Sequence, residues 1–285
     1  MNFLAIGSVA SLVACVGALR MDAAIATPLQ TAALIFSTLA GFVWAARMPA
    51  SITKVIHPLV TSSAVTLAMA QLIALGVGST MKDVLKTYKV GTLNLMKMGA
   101  GDLLLWLLGP SVVSFAVSMY SRKKLIAENF IVIVTSTFVS SVGGLFATAA
   151  FARLINLGGN NGDMARLSVL PRNVTTALAM VIASLIGGDI SITAVAVVLT
   201  GVLGATYGKT MMKAMGLHDP VTRGLGMGGA AQGLGVSAMS DEPDAFPFAA
   251  ISMVLTAVAA TTLASIPLSR DALISLATGG SGLPP

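Results

Sequence analysis

Leu170-Pro-Arg-Asn-Val-Thr-Thr-Ala-Leu-Ala-Met180 puts a proline, a cation and two adjacent hydroxyls within one helical turn. Apolar runs long enough to cross a bilayer flank it on both sides. A lipid-facing helix has no use for that chemistry, whereas a site that receives a small anion does. The pattern recurs 61 residues upstream, in Leu108-Gly-Pro-Ser-Val-Val-Ser-Phe-Ala-Val-Ser-Met119. Pro110 aligns with Pro171, Val113 with Val174, Ser114 with Thr175, Ala116 with Ala177, Met119 with Met180 and Gly143 with Gly204. A doubled intramembrane motif is the mark of an internally duplicated transporter.

The rest of the chain agrees with a membrane setting. Of 285 residues 55% are hydrophobic and only 10% charged, with a mean hydropathy of +0.89. Soluble domains carry about 25% charged residues. Candidate spans are 2–20, 29–47, 58–78, 99–120, 127–155, 165–187, 190–213, 221–240 and 245–268, or about eight to ten crossings. The runs are continuous rather than alternating, which disfavours a β-barrel. The predicted fold class is an all-α integral membrane protein with an internal repeat and broken, discontinuous helices. The net charge of +6 is no sign of nucleic acid. Its cations fall at the ends of apolar runs and set orientation, with Arg122-Lys123-Lys124 as the best marker of an inside loop. Cys15 stands alone, so neither a disulfide framework nor a cysteine metal site is expected.

Three segments depart from ordinary spans: Gly99 to Pro110, Pro171 to Thr176, and Gly224 to Gly235 with six glycines in twelve positions. Glycine and proline inside a membrane helix free backbone groups that protein, water or ligand must satisfy. Pro171 suits the first position of a helix. The N–H groups near Arg172, Asn173 and Val174 would then be free, at the positive end of the helix dipole. Arg172 adds a planar fork that matches a carboxylate, and Thr175 and Thr176 can bond a substrate hydroxyl. In the competing reading Arg172 snorkels to the interface and the threonines bond back to the helix.

The glycine run lacks Gly-Lys-Ser/Thr and no strand precedes it, which argues against a nucleotide site. Gly224/Gly228 and Gly229/Gly233 have the spacing of close helix packing. Gln232 and Ser237 are its polar side chains. The site is therefore read as Arg172, Asn173, Thr175, Thr176, Gly228, Gly229, Gln232 and Ser237. Asp102 is read as an interface residue rather than a proton carrier. His57 and His218 precede or neighbour prolines and read as loop residues. No catalytic set, metal site or cofactor is expected.

These residues carry a family likeness. Leu108–Val113, Val169–Met180, Leu199–Ala205, Asp219–Gly224 and the glycine run resemble the LrgB/CidB family, over residues 58–275. Glu242-Pro-Asp-Ala-Phe-Pro-Phe248 and Arg166-Leu-Ser-Val-Leu-Pro-Arg172 are closer to its plastidal glycolate/glycerate translocators than to its bacterial members. The bacterial pattern has Pro and Glu where this chain has Ala177 and Val181. The family usually carries His and Thr where this chain has Gln232 and Val236. Glutamine cannot move a proton, so the replacement points to exchange rather than proton symport.

The resemblance implies a fold like that of the cation/proton antiporters and bile-acid transporters. It implies a secondary transporter that exchanges small 2-hydroxy monocarboxylates, glycolate and glycerate, across the plastid inner envelope. The runner-up is a bacterial inner-membrane protein that regulates murein hydrolases in holin fashion, or carries pyruvate-type acids. A passive anion channel also fits the composition. The domain reading is accessory helices over 1–56, an LrgB-like transport domain over 57–275 and a disordered tail over 276–285. The expected partners are the organic acid, the lipid bilayer and a second copy in a homodimer.

Overall fold

The computed structural model describes residues 2–21, 25–49, 52, 56–107, 109–110, 113, 117, 120–159 and 162–280. Among them six helices are long and apolar enough to cross a membrane, together with a shorter apolar helix at Thr176–Ile186. The protein is an all-α integral membrane protein. Most of the upstream copy of the motif, residues 108, 111–112, 114–116 and 118–119, lies outside the described residues, and so does the comparison of 108–144 with 169–205.

The chain divides into two compact units, 1–114 and 115–285. That division falls at a different place from the compositional change near residue 56. In the first unit α1 (Asn2–Arg20), α2 (Ala26–Ala46) and α3 (Pro58–Val77) pack in sequence. Lipid tails are as apolar as leucine, so close backbone approach and hydrogen bonds must hold these helices together. Thr38 and Thr66 share a 2.8 Å hydroxyl bond, and Ser62 donates to the Thr38 carbonyl at 2.7 Å. A Cβ on Gly41 would stand 2.9 Å from that of Val65. Two short helices follow, α4 (Met81–Lys86) and α5 (Ala100–Trp106). Asp102 is buried and accepts the backbone N–H groups of Val90, Gly91 and Gly99, each at 2.9 Å. Its oxygens hold a loop closed.

The second unit opens with α6 (Lys123–Glu128) and the span formed by α7 (Phe130–Phe138), a π-helical turn (Val139–Gly143) and α8 (Gly144–Leu154). Ser141 in that turn bonds back to the Thr137 carbonyl at 2.7 Å, a habit of hydroxyls that bends helices. Then come α9 (Asp163–Val169), α10 (Thr176–Ile186), α11 (Ile190–Ala214), α12 (Pro220–Ala238), α13 (Phe246–Ser265) and α14 (Pro267–Thr278). Asp189 caps α11 by accepting the Ile192 N–H at 2.8 Å, and Asp219 caps α12 through Thr222 at 2.8 Å.

α11 serves as a ruler for its neighbours. Cβ atoms built on Gly201, Gly204 and Gly208 would meet Gln232, Ala231 and Met227 in turn, so the first leg of α12 runs antiparallel to α11. Lys209 then reaches the Ala238 carbonyl at 3.3 Å. Residue 238 is therefore back level with the far end of α11. The chain reverses at Gln232, whose backbone has φ 45 and ψ −141. That region is nearly reserved for glycine. The segment 221–240, expected as a crossing, is instead a re-entrant hairpin. Its first leg, twelve residues long by the numbering, rises about 18 Å, well short of a hydrocarbon core about 30 Å thick.

Residues 169–187 make a second excursion. Ser168 at its start accepts the Asp189 N–H at 2.7 Å and the Thr193 hydroxyl at 2.8 Å, so the chain comes back to where it left. This excursion leaves from the start of α11 and the hairpin from its end. The two enter from opposite faces. A hydrophobic cluster of Leu145, Leu167, Leu170, Ile182, Ile186 and Leu273 fills the first end. Met212, Met227, Val236 and Met239 fill the other, with Ile133, Leu225 and Phe248 beside them.

Candidate functional site

The two excursions meet at their tips. Asn173 donates through Nδ2 to the Gly229 carbonyl at 3.0 Å and to the Ser140 carbonyl of the π turn at 3.0 Å. Gln232 donates through Nε2 to the Val197 carbonyl of α11 at 3.1 Å, and its Oε1 accepts the Gly233 N–H. Asn173 thus carries a neutral amide from the first break to the second, and Gln232 ties the hairpin tip to α11. Such bonds satisfy the carbonyls that broken helices expose inside a membrane.

Beside this junction lies a cavity of about 710 Å³ whose lining includes Thr135, Ser136, Ser140, Arg172, Asn173 and Gly229. A water claims about 30 Å³ of liquid, so a three-carbon acid fits with solvent to spare. The lining comes from residues 131–144 of the 130–154 span, from Arg172 and Asn173, and from Gly226, Gly229 and Ala230 of the hairpin's first leg. The Arg172 side chain is exposed on the cavity and has no ion-pair or hydrogen-bond partner among the described residues. A π-helical turn beside such a place is common at functional sites.

The local structure around Arg172 differs from the sequence expectation. Pro171 does not open a helix. Leu170 caps the end of α9, and residues 170–174 form a turn. The N–H of Arg172 is spent on the Val169 carbonyl at 3.3 Å, and that of Val174 on the Pro171 carbonyl at 3.0 Å. The helix starts at Thr176, after an extended Thr175 whose side chain makes no capping bond. The positive helix end therefore sits a turn later than Pro171 suggests.

Of the eight residues read from sequence, Arg172, Asn173 and Gly229 line the cavity together. Thr175 and Thr176 are half-buried at the start of α10, outside the lining. Gly228 faces the other way, where a Cβ would stand 2.8 Å from the Ala249 carbonyl carbon. Gln232 is buried at the hairpin tip. Ser237 is exposed and bonds back to the Gly233 carbonyl at 2.9 Å. Gly229 and Gly233 do not form one packing ridge, because the chain reverses between them. Thr135, Ser136, Ser140 and Gly144 were not singled out from sequence. The signal was there as a run of hydroxyls and paired glycines, 135–144, inside an apolar span.

The base of the hairpin is held by charge. Arg223 in its first turn grips Glu242, beyond its second leg, through two bonds of 2.8 and 2.6 Å. Lys209 adds bonds to Asp241 at 2.5 Å and to Glu242 at 3.3 Å. The Arg223 hydrogen bonds, ahead of those from Lys209, hold the Glu242 carboxyl below the usual glutamate range despite its desolvation. Arg122 pairs with Asp244 at 2.8 Å on the same face.

Opposed half-membrane segments that meet beside a cation-bearing cavity define a membrane protein of the broken-helix kind. The LrgB-like family model matches residues 38–269, and the chain belongs to that family. Plastidal glycolate/glycerate translocator 1, chloroplastic, from Arabidopsis thaliana is 36% identical over 265 residues, which is 92% of this chain and 51% of that protein. The chain thus spans about half the length of this curated relative. No solved structure matches.

Proposed function

We propose that this chain is a secondary transporter that exchanges small 2-hydroxy monocarboxylates, glycolate and glycerate, across the plastid inner envelope. The observation that carries the reading is Arg172, unpaired among the described residues, on a cavity where two broken segments meet. An arginine fork takes a carboxylate by two parallel bonds. The name and identity of the plastidal relative support the substrate and the compartment. The test is uptake of labelled glycolate into proteoliposomes preloaded with glycerate. Saturable uptake that depends on internal glycerate is expected. Equal uptake into empty vesicles would favour a channel, and no uptake of either acid would end the reading.

The hairpin-base face of the second unit carries Arg122, Lys123, Lys124, Lys209, Lys213 and Arg223, against Arg153, Arg166 and Arg270 toward the other face. By the bias of cations toward the inside, this face is the inner one. In a Cys15→Ser background, an impermeant maleimide is expected to label Leu268→Cys from outside in right-side-out vesicles and to spare Ser240→Cys. The reverse pattern would invert the orientation.

A further inference from the structure

Asn173 holds an acceptor that no described residue answers. The residue is 7% exposed and lines the cavity. Nδ2 spends its hydrogens on the carbonyls of Ser140 and Gly229. Exchanging the amide's ends would set an oxygen against those two carbonyl oxygens, so the orientation is fixed by chemistry. Oδ1 is buried and without a donor among the described residues. The other buried side-chain atoms without partners among the described residues are the hydroxyls of Thr137, Thr206, Thr256 and Ser269. None of those four lines the cavity. A Cβ on Gly144 would stand 2.9 Å from Oδ1 and 2.7 Å from Nδ2, so the amide has its place only because residue 144 lacks a side chain. Buried carbonyls without donors are rare in native folds, and each calls for a reason.

Resting on the hydroxy-acid reading above, we propose that Asn173 Oδ1 accepts the 2-hydroxyl of the carried acid and so selects 2-hydroxy acids over 2-oxo and unsubstituted ones. An amide oxygen can only accept. A 2-hydroxyl offers it a proton. A 2-oxo group offers a second oxygen, and an unsubstituted carbon offers nothing. Sites built to bond a hydroxyl reject analogues that lack it far more sharply than apolar pockets reject a missing methylene. Arg172 is the adjacent residue on the same cavity, and carboxylate and hydroxyl sit on adjacent carbons of the substrate. One two-residue step of backbone therefore supplies both anchors. Oδ1 is covered in this conformation, so the Asn173 side chain must shift for the hydroxyl to be read. Thr175 and Thr176, the hydroxyl ligands suggested by sequence, stand outside the lining.

The test uses competitors matched in size against labelled glycolate exchange in proteoliposomes. They are glycerate, its 2-oxo analogue hydroxypyruvate, and 3-hydroxypropanoate, which lacks the 2-hydroxyl. In the native protein glycerate is expected to inhibit at a concentration about tenfold or more below either analogue. In Asn173→Ala the three should converge to within about twofold, because the remaining carboxylate anchor is common to all. Asn173→Ser is the sharper variant, since a hydroxyl can donate as well as accept. It should admit hydroxypyruvate while still disfavouring 3-hydroxypropanoate, a split that a purely structural role would not produce. If the alanine variant fails to insert, the serine variant decides. An unchanged ratio of glycerate to hydroxypyruvate in the serine variant, or no preference in the native protein, overturns the assignment and leaves the carrier reading standing. Failure of the native protein to take up any of these acids removes the carrier reading itself.

Discussion

Arg172→Ala is expected to weaken apparent substrate affinity by about thirty- to a hundredfold, so that exchange falls to a minor fraction of the native rate at concentrations just sufficient to saturate the native protein. The carboxylate loses its counter-charge in a cavity with apolar walls. Removing one partner of a desolvated charge pair costs about 2–5 kcal/mol. Arg172 is solvated in the open cavity, so the lower part of that range applies, which is still about thirty- to a hundredfold in apparent affinity. Arg172→Lys keeps the charge and loses the two-pronged fork, so about tenfold weaker exchange is expected. The affinities are read from the substrate dependence of exchange and from substrate-induced thermal shifts in detergent. Native-like affinity in the alanine variant would remove Arg172 from the site.

The sequence made some of this visible and hid the rest for a physical reason. Membrane character, the broken segment at 170–176 and the importance of the glycine run all follow from local chemistry. A proline, an arginine and clustered glycines are costly in lipid and so stand out. Chain direction is not local. The twelve residues from 224 to 235, eight of them glycine or alanine, can run straight through a membrane or turn back on themselves. Here Gln232 turns the chain in a region that side chains avoid. Glycines on every side conceal which residue bears the strain. Hydropathy could not distinguish the hairpin from a crossing, because a half-span doubled back has the length of a full one. The contribution of 135–144 was missed for the opposite reason. Its hydroxyls are quiet in composition, since Ser and Thr satisfy themselves against their own helix, as Ser141 does. Only the meeting of Asn173 with the Ser140 carbonyl gives that stretch a role. Asp102 carried a warning as a carboxylate at an apolar edge, yet its acceptors go to three backbone N–H groups.

The same hairpin gives the largest expected loss of stability. Gly224 and Gly228 stack on the backbone of α13. A Cβ on Gly228 would stand 2.8 Å from the Ala249 carbonyl carbon and 2.9 Å from its Cα, and one on Gly224 would stand 2.7 Å from Phe248 Cβ and 3.0 Å from the Ala249 nitrogen. Backbone atoms cannot swing aside as a flexible side chain can, and Phe248, Ala249 and Ala250 are completely buried. Gly228→Ala must therefore push the first leg away from α13. Overpacking of this kind costs about 1–3 kcal/mol when the surroundings can relax, and the rigid neighbours place Gly228 at or above the top of that range. Displacing the leg also carries Gly229 off Asn173 and Ala231 off Gly204, so exchange should fall along with stability. Gly226 and Gly233 lie on the same hairpin and share its composition. A Cβ on either meets nothing closer than a methionine sulfur, at 4.0 Å from Met212 and 3.8 Å from Met253. Alanine at those two positions is expected to leave the melting temperature within a few degrees of the native value, because ordinary surface-type substitutions stay within about 0.5 kcal/mol. Thermal unfolding of the four variants in one detergent makes the comparison. A hairpin whose legs pack as described gives two sensitive and two tolerant glycines. A straight crossing helix would present Gly229 and Gly233 as a second ridge and make Gly233→Ala as damaging as Gly228→Ala.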